Sequence, residues 1–457
     1  MERALFIAGI ALIGFLYGAF TVQYQVFPYS LLKEAKLGLA AWAAVDRNNS
    51  RFPKAFERFE KDAPAHPHAK QLAAGSGSEQ TLVTGGPFQL MERCPRWGCI
   101  AWIADRDGSV LHTWEVDLDQ LWQGLSGISG DVNMLSLYPV GMVLGADGSL
   151  VVSFQGRETY PVQIGIAKIG RDGRILWKRF DGSHHWITAD AAGNIYAPFV
   201  GFQDGKYVGQ TAVDLPCSSG PSGSDYIRVL DPDGKPLRQV PIMDAFLRAG
   251  YPGHFYSLRD ACDPTHLNSI ALAPASLEDK LPGAAAGDLL VSLRETNTVA
   301  LLDGKTGALK HAVSGRTAAQ HSAQFLPDGT VLAFDNLGGE RSRGGSRVVR
   351  LDLVKRTAET VFPRDNAKDL LPVQSTRAGQ IDVSSDGRRA LVAITHQGRI
   401  VEIDVESGTP LWVYENTHDI GAFLEANRIS RQDTRARFAT YGAYYVGSAS
   451  FLKERPR

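Results

Sequence analysis

Apolar positions along this chain follow two different patterns. Residues 4–22, ALFIAGIALIGFLYGAFTV, run nineteen positions without a charge, long enough to cross a hydrocarbon core as a helix. From about residue 81 the apolar runs become short and are broken by Asp and Gly turns. One form reads IADRDGSVLHTW (103–114), IGRDGRILW (169–177), VLDPDGKPL (229–237), LLDGKTGAL (301–309) and IDVESGTPLW (403–412). A second form reads VLGADGSLVVSF (143–154), ITADAAGNIYAPF (187–199), FLPDGTVLAFD (325–335) and VSSDGRRALVAI (383–394). Each is a strand, a tight turn and a strand. Two such hairpins form a four-stranded sheet every roughly forty to sixty residues, the period of propeller blades, and roughly 370 residues hold six of them. The pattern therefore predicts an all-β, six-bladed β-propeller preceded by an N-terminal transmembrane helix and a short helical and linker segment.

The expected boundaries are 1–22 for a membrane anchor, 23–80 for a helical segment and linker, and 81–457 for the propeller. SLLKEAKLGLAAWAAVDRN (30–48) has helix-forming composition, and 49–80, with APAHPHAK and AAGSGSEQ, reads as linker. No small-x-small cleavage site follows the apolar run, which favours an uncleaved anchor over a signal peptide. The propeller is then expected on the extracytoplasmic, periplasmic side. Lys plus Arg (48) against Asp plus Glu (49) leaves a net charge of −1. With no basic stripe, nucleic acid is not an expected partner; a homo-oligomer stays open. Cys94 with Cys99 and Cys217 with Cys262 fit disulfides in an oxidising compartment, because C-x4-C lacks the second ligand pair a zinc finger needs. No metal and no cofactor are expected.

Several groups are not explained by turn chemistry. His321 stands directly before the 325–335 hairpin. His184 and His185 stand before the 187–199 hairpin. His266 and Asn268 lie two apart on one side of an extended segment, and Arg294, with Glu295 and Asn297 beside it, falls inside an otherwise apolar strand. A guanidinium there needs anionic or multiple acceptor partners. In a ring of blades these positions converge on one mouth, and donors without a matching acid describe an oxyanion site.

DPTHLNSI, VSLRETNTVALLD, QHSAQFLPDGTVLAFDN and SRVVRLDL, with HHWITADAAGNIY before them and QGRIVEIDVESGTPLWVYEN after, resemble the bacterial arylsulfotransferases, which do not use the nucleotide donor PAPS. The likeness spans roughly residues 100–420. It implies sulfuryl transfer from a phenolic sulfate ester to a phenol or other hydroxyl through a sulfohistidine. By that resemblance His321 is the nucleophile, and His266, Arg294 and His185 complete the catalytic set. His184, Asn268 and Asn336 are then substrate-binding groups, with Asn268 holding the loop or orienting His266 rather than doing chemistry, and the partners are an aryl sulfate donor, a hydroxyl acceptor and the membrane. The segment GALKHAV lacks the family's Trp, the stretch from Leu309 to His321 is short, and LGGERSRGG follows FDN, so the pocket rim differs.

Three other classes stay open, the last a metallo-hydrolase with the histidines as ligands, for which the sequence lacks the clustered carboxylates of a dinuclear site. A catalytically silent, membrane-tethered propeller would keep the fold without chemistry. DGKTGALK and DVESGTPLW also resemble quinoprotein dehydrogenase repeats, but only one keeps its Trp, and no calcium-ligand cluster accompanies them.

Overall fold

A computed structural model describes residues 2–24, 26–29, 31, 56–125, 137–156, 163–202, 207–215, 217, 221–258, 261–426, 428, 430, 433–447 and 450–453. Two compact units divide at Arg51 and Phe52. The first contains helix α1, Glu2–Tyr24, whose stretch Leu5–Tyr24 is long and apolar enough to cross a membrane. The helix expected over 30–48 lies outside the described residues, apart from Leu31.

The second unit is the six-bladed propeller. The linker expected over 49–80 is corrected here, because it contains two strands, β1 (Phe56–Phe59) and β2 (His68–Gln71). Blade one holds β3 (Gln80–Thr84), β4 (Ala101–Ala104) and β5 (Val110–Trp114). Blade two holds β6 (Leu137–Leu144), β7 (Leu150–Gly156), β8 (Gln163–Ile169) and β9 (Ile175–Arg179). Blade three runs through β10 (Thr188–Ala189), β11 (Ile195–Phe202), β12 (Gly223–Leu230) and β13 (Pro236–Pro241). Blade four runs through β14 (Leu267–Leu272), β15 (Leu289–Leu293), β16 (Thr298–Leu302) and β17 (Leu309–Ser314). Blade five comprises β18 (His321–Phe325), β19 (Val331–Asp335), β20 (Arg347–Asp352) and β21 (Thr357–Phe362). Blade six comprises β22 (Gln380–Val383), β23 (Arg389–Ile394), β24 (Arg399–Asp404) and β25 (Pro410–Glu415), with β2 added along β25. Near the C-terminus, β26 (Thr417–Asp419) and β27 (Arg435–Phe438) join β1 in a small sheet, and β28 (Ala443–Val446) pairs with β3 to complete blade one.

Local chemistry accounts for the hairpins. In all nine quoted above the turn glycine has φ between 69° and 90°, a region that costs an L-residue with a Cβ about 1–2 kcal/mol. The preceding Asp often caps the turn: Asp107, Asp147, Asp172, Asp328 and Asp386 each accept a backbone N–H two residues on.

Six apolar clusters fill the six seams between neighbouring blades, and a seventh packs Trp186 against the small sheet. The seam between blades six and one adds polar contacts to its apolar cluster. There the fully buried Trp102 donates its indole N–H to the Tyr414 hydroxyl at 2.8 Å. Losing such a side chain costs about 3–5 kcal/mol. Arg106 and Arg389 share the buried Glu402 across the same seam, and Arg389 also pairs with Glu79.

Candidate active site

Neighbouring inner strands run in the same direction. Trp186, just before β10, makes a parallel bridge to Ser269 in β14, and Trp186 N–H donates to Asn268 C=O at 3.2 Å. Entry segments of β10, β14 and β18 therefore share one end of the ring, and His185, His266 and His321 sit on them. Ring centroids lie 5.0 Å apart for His185 and His266, 6.2 Å for His185 and His321, and 6.3 Å for His266 and His321. Trp186 meets His321 edge-on at 5.6 Å.

Two of these histidines need unusual backbone. His185 has φ 50° and His266 has φ 48°, left-handed conformations that cost a residue with a Cβ about 1–2 kcal/mol. Neighbours hold both in place. The Ser153 hydroxyl donates to His185 C=O at 2.5 Å, and Arg294 N–H donates to His266 C=O at 3.1 Å. A Cβ on Gly141 would come within 2.4 Å of the His185 carbonyl oxygen, so only glycine fits under that turn.

Hydrogen bonds fix the His321 tautomer. Asn336 donates through its amide nitrogen to Ser375 C=O at 2.6 Å and Ala378 C=O at 2.8 Å. Its Oδ1 must then face His321 Nδ1, 2.7 Å away, as an acceptor. Nδ1 therefore carries the proton, and Nε2 keeps its lone pair. That Nε2 is buried and has no hydrogen-bond partner among the described residues. Burial, opposed by the Asn336 bond and reinforced by His266 and Arg294, holds the His321 ring well below the usual imidazole pKa. Burial, with the charges of His184, His266, His321 and Arg294, does the same to His185.

Acids stand beside the cationic groups, which corrects the expectation of donors with no matching acid. Asp263 Oδ2 accepts from His266 Nδ1 at 2.5 Å. Burial pushes the Asp263 carboxyl up, but His266, His184 and Arg294 outweigh it and leave its pKa below the ordinary value. Glu295 pairs with the Arg294 guanidinium. Asp225, from blade three, accepts from the Thr265 hydroxyl at 2.5 Å and from Leu267 N–H at 2.8 Å, bracketing His266. Asp263 sits three residues before His266, in DPTH, and was within reach of the sequence; Asp225 is brought in from forty residues upstream by the fold alone.

Other expected site residues take different places. Arg294 is not inside a strand: β15 ends at Leu293, and Arg294 opens the turn to β16. Its charge still acts on His185, His321 and Asp263. His184 stands behind His185, with Nδ1 2.6 Å from His185 Nδ1 and Nε2 3.7 Å from Asp225. His185 is therefore the member of the doublet that meets His266 and His321. Asn268 and Asn336, expected as substrate-binding groups, are fully buried parts of the framework. Asn268 donates to Gln320 C=O at 2.8 Å, immediately before His321, so both amides position the imidazole. Gln155, absent from the sequence reading, reaches His185 from β7, 2.9 Å from Nδ1 and 3.2 Å from Nε2. The disulfides are Cys94–Cys99 and Cys217–Cys262, the second adjoining Asp263.

Comparison with known proteins gives one family. Residues 225–417 match the arylsulfotransferase (ASST) family model. No curated protein matches the chain. Similar solved structures include a protein of unknown function from Bacteroides caccae, 17% identical, covering 74% of this chain and 93% of that one with a TM-score of 0.43. TolB from Acinetobacter baumannii is 9% identical, covering 81% and 67% with a TM-score of 0.42. A functionally unknown protein from Desulfotomaculum acetoxidans is 13% identical, covering 73% and 78% with a TM-score of 0.37. The matched segment contains His266, Arg294, His321 and Asn336, and over that segment the chain is similar to the arylsulfotransferase family.

Proposed function

We propose that this protein transfers a sulfuryl group from an aryl sulfate to a hydroxyl acceptor through a sulfohistidine on His321. The observation that carries this reading is the unprotonated Nε2 of a buried imidazole, without a hydrogen-bond partner among the described residues, whose other nitrogen is locked by Asn336. Neutral imidazole attacks near pH 7 and is later a good leaving group.

In the first step the Nε2 lone pair forms a bond to sulfur while the sulfur–oxygen bond to the aryl group breaks. The departing phenolate takes the Nε2 proton of a His266 imidazolium whose Nδ1–H is held by Asp263. Arg294 contributes fixed positive charge near the sulfuryl oxygens, as sulfuryl transfer, like phosphoryl transfer, needs charge stabilisation more than new covalent partners. In the second step the acceptor hydroxyl gives its proton to His266 while its oxygen bonds to sulfur. The nitrogen–sulfur bond breaks, and its electron pair returns to Nε2. Both steps need only groups of this chain and the two substrates. The propeller works on the extracytoplasmic side of a membrane, a reading supported by the apolar N-terminal helix and the two disulfides.

Peptide mass spectrometry after brief exposure to 4-nitrophenyl sulfate and a non-acidic quench tests the mechanism. A sulfuryl adduct on the His321 peptide is expected. An adduct elsewhere, or turnover with none on any peptide, refutes it. Because burial holds the His321 pKa well below the ordinary imidazole value, the acid limb of the rate profile should fall below the ordinary imidazole range.

A further inference from the structure

We propose that His185, His266 and His321 also form a chelating site for a borderline-soft divalent metal ion, zinc being the best fit. One ring nitrogen from each lies within 4.8 Å of the other two. Three imidazoles around zinc at about 2.0–2.1 Å put their nitrogens about 3.4 Å apart. The rings must therefore close by roughly an ångström. His266 is only partly buried, with a side-chain exposure of 17%.

The outer contacts resemble those that orient metal-binding histidines, whose remote N–H is held by a carboxylate or carbonyl oxygen. His266 Nδ1 is held by Asp263 and His321 Nδ1 by Asn336 Oδ1. Their Nε2 atoms are left as ligands, and that of His321 is buried without a partner among the described residues. His185 Nδ1 faces His184 at 2.6 Å, so its Nε2 is the third ligand, and the Gln155 amide 3.2 Å away must withdraw. Arg294 opposes a dication, but Glu295 pairs with it, and Asp263 adds a second negative charge beside the cluster. An all-imidazole set selects zinc, copper, nickel or cobalt over magnesium and calcium.

The same nitrogen cannot hold a metal and attack sulfur. On the sulfotransferase reading above, such a metal is therefore an inhibitor that competes with the donor.

The test is calorimetric titration of the full-length, untagged protein in detergent with zinc chloride, cobalt chloride or magnesium chloride at neutral pH. One zinc ion per chain is expected, with magnesium inert. His266→Ala and His321→Ala should each weaken zinc binding at least about tenfold, whereas His311→Ala, on the outer strand β17, should not. Wild-type protein with cobalt gives a readout independent of variant folding. Intense visible bands of a four-coordinate site support the proposal; the weak spectrum of a six-coordinate ion overturns it. Absence of zinc binding, or unchanged affinity in both site variants, also overturns it. Zinc binding without a sulfuryl adduct would sink the sulfotransferase reading alone; an adduct without zinc binding would sink this one alone.

Discussion

Two regions along the same inner strands bury ionisable groups in opposite ways. Where β10, β14 and β18 begin, nearly every charged or titratable group has a partner: Asp263 for His266, Glu295 for Arg294 and Asn336 for His321. Further along, a cavity of about 310 Å³ is lined by Met142, Ile270, Gln324, Asp382, Tyr444 and others. There Asp382 accepts, among the described residues, only the Tyr445 backbone N–H at 2.7 Å, and burial pushes its pKa up to about 7. Burial alone moves an acid toward neutrality, whereas a matched partner keeps it charged and fixes its neighbour's tautomer. Protonation state at the first region is therefore set by geometry, and at the second by pH.

That contrast can be broken or sharpened by substitution. His321→Ala should reduce sulfuryl transfer from 4-nitrophenyl sulfate to phenol by at least about 10³-fold, since it removes the nucleophile. Asn336→Ala should cost about 10²-fold or more by releasing the Nδ1 proton that fixes the tautomer, in kcat more than in KM. Asp263→Asn should lower kcat about 10²-fold, within the range of general acid–base effects, and shift the pH profile. Gly141→Ala should cost about tenfold by displacing the His185 carbonyl, with little effect on expression.

Asp382→Asn should leave turnover largely intact and act on stability. The folded pKa of Asp382 is raised above its ordinary 3.8 to about 7. Stability is therefore full below the unfolded value and is lost as pH rises through 7. The amide should melt about 2–4 °C above wild type at pH 8, with the gap closing near pH 4. An equal gap at both pH values would mean that Asp382 is already ionised in the fold.

Much of the architecture was legible because it is local. A hairpin needs a glycine able to take positive φ and an Asp able to cap the turn, and both are visible in segments such as RDGS and PDGT. The apolar N-terminal run is equally local. Strands β1 and β2 escaped notice because FERF and HAKQ are short and polar; they are strands because β27 and β25 offer open edges. Arg294 was misplaced by one residue because an apolar run does not mark where a strand ends.

The sequence by itself determined the β-hairpin repeat, the membrane-length helix and which imidazoles stand at blade entrances, because turn chemistry and apolar period act over a few residues. Only the tertiary structure decided which of His184 and His185 joins the cluster, that Asp225 braces His266, and that Asn268 and Asn336 position His321 from behind. The physical reason is closure. A tautomer, a left-handed histidine or a depressed pKa is set by groups from neighbouring blades, and those meet only when β28 pairs with β3 and completes the ring.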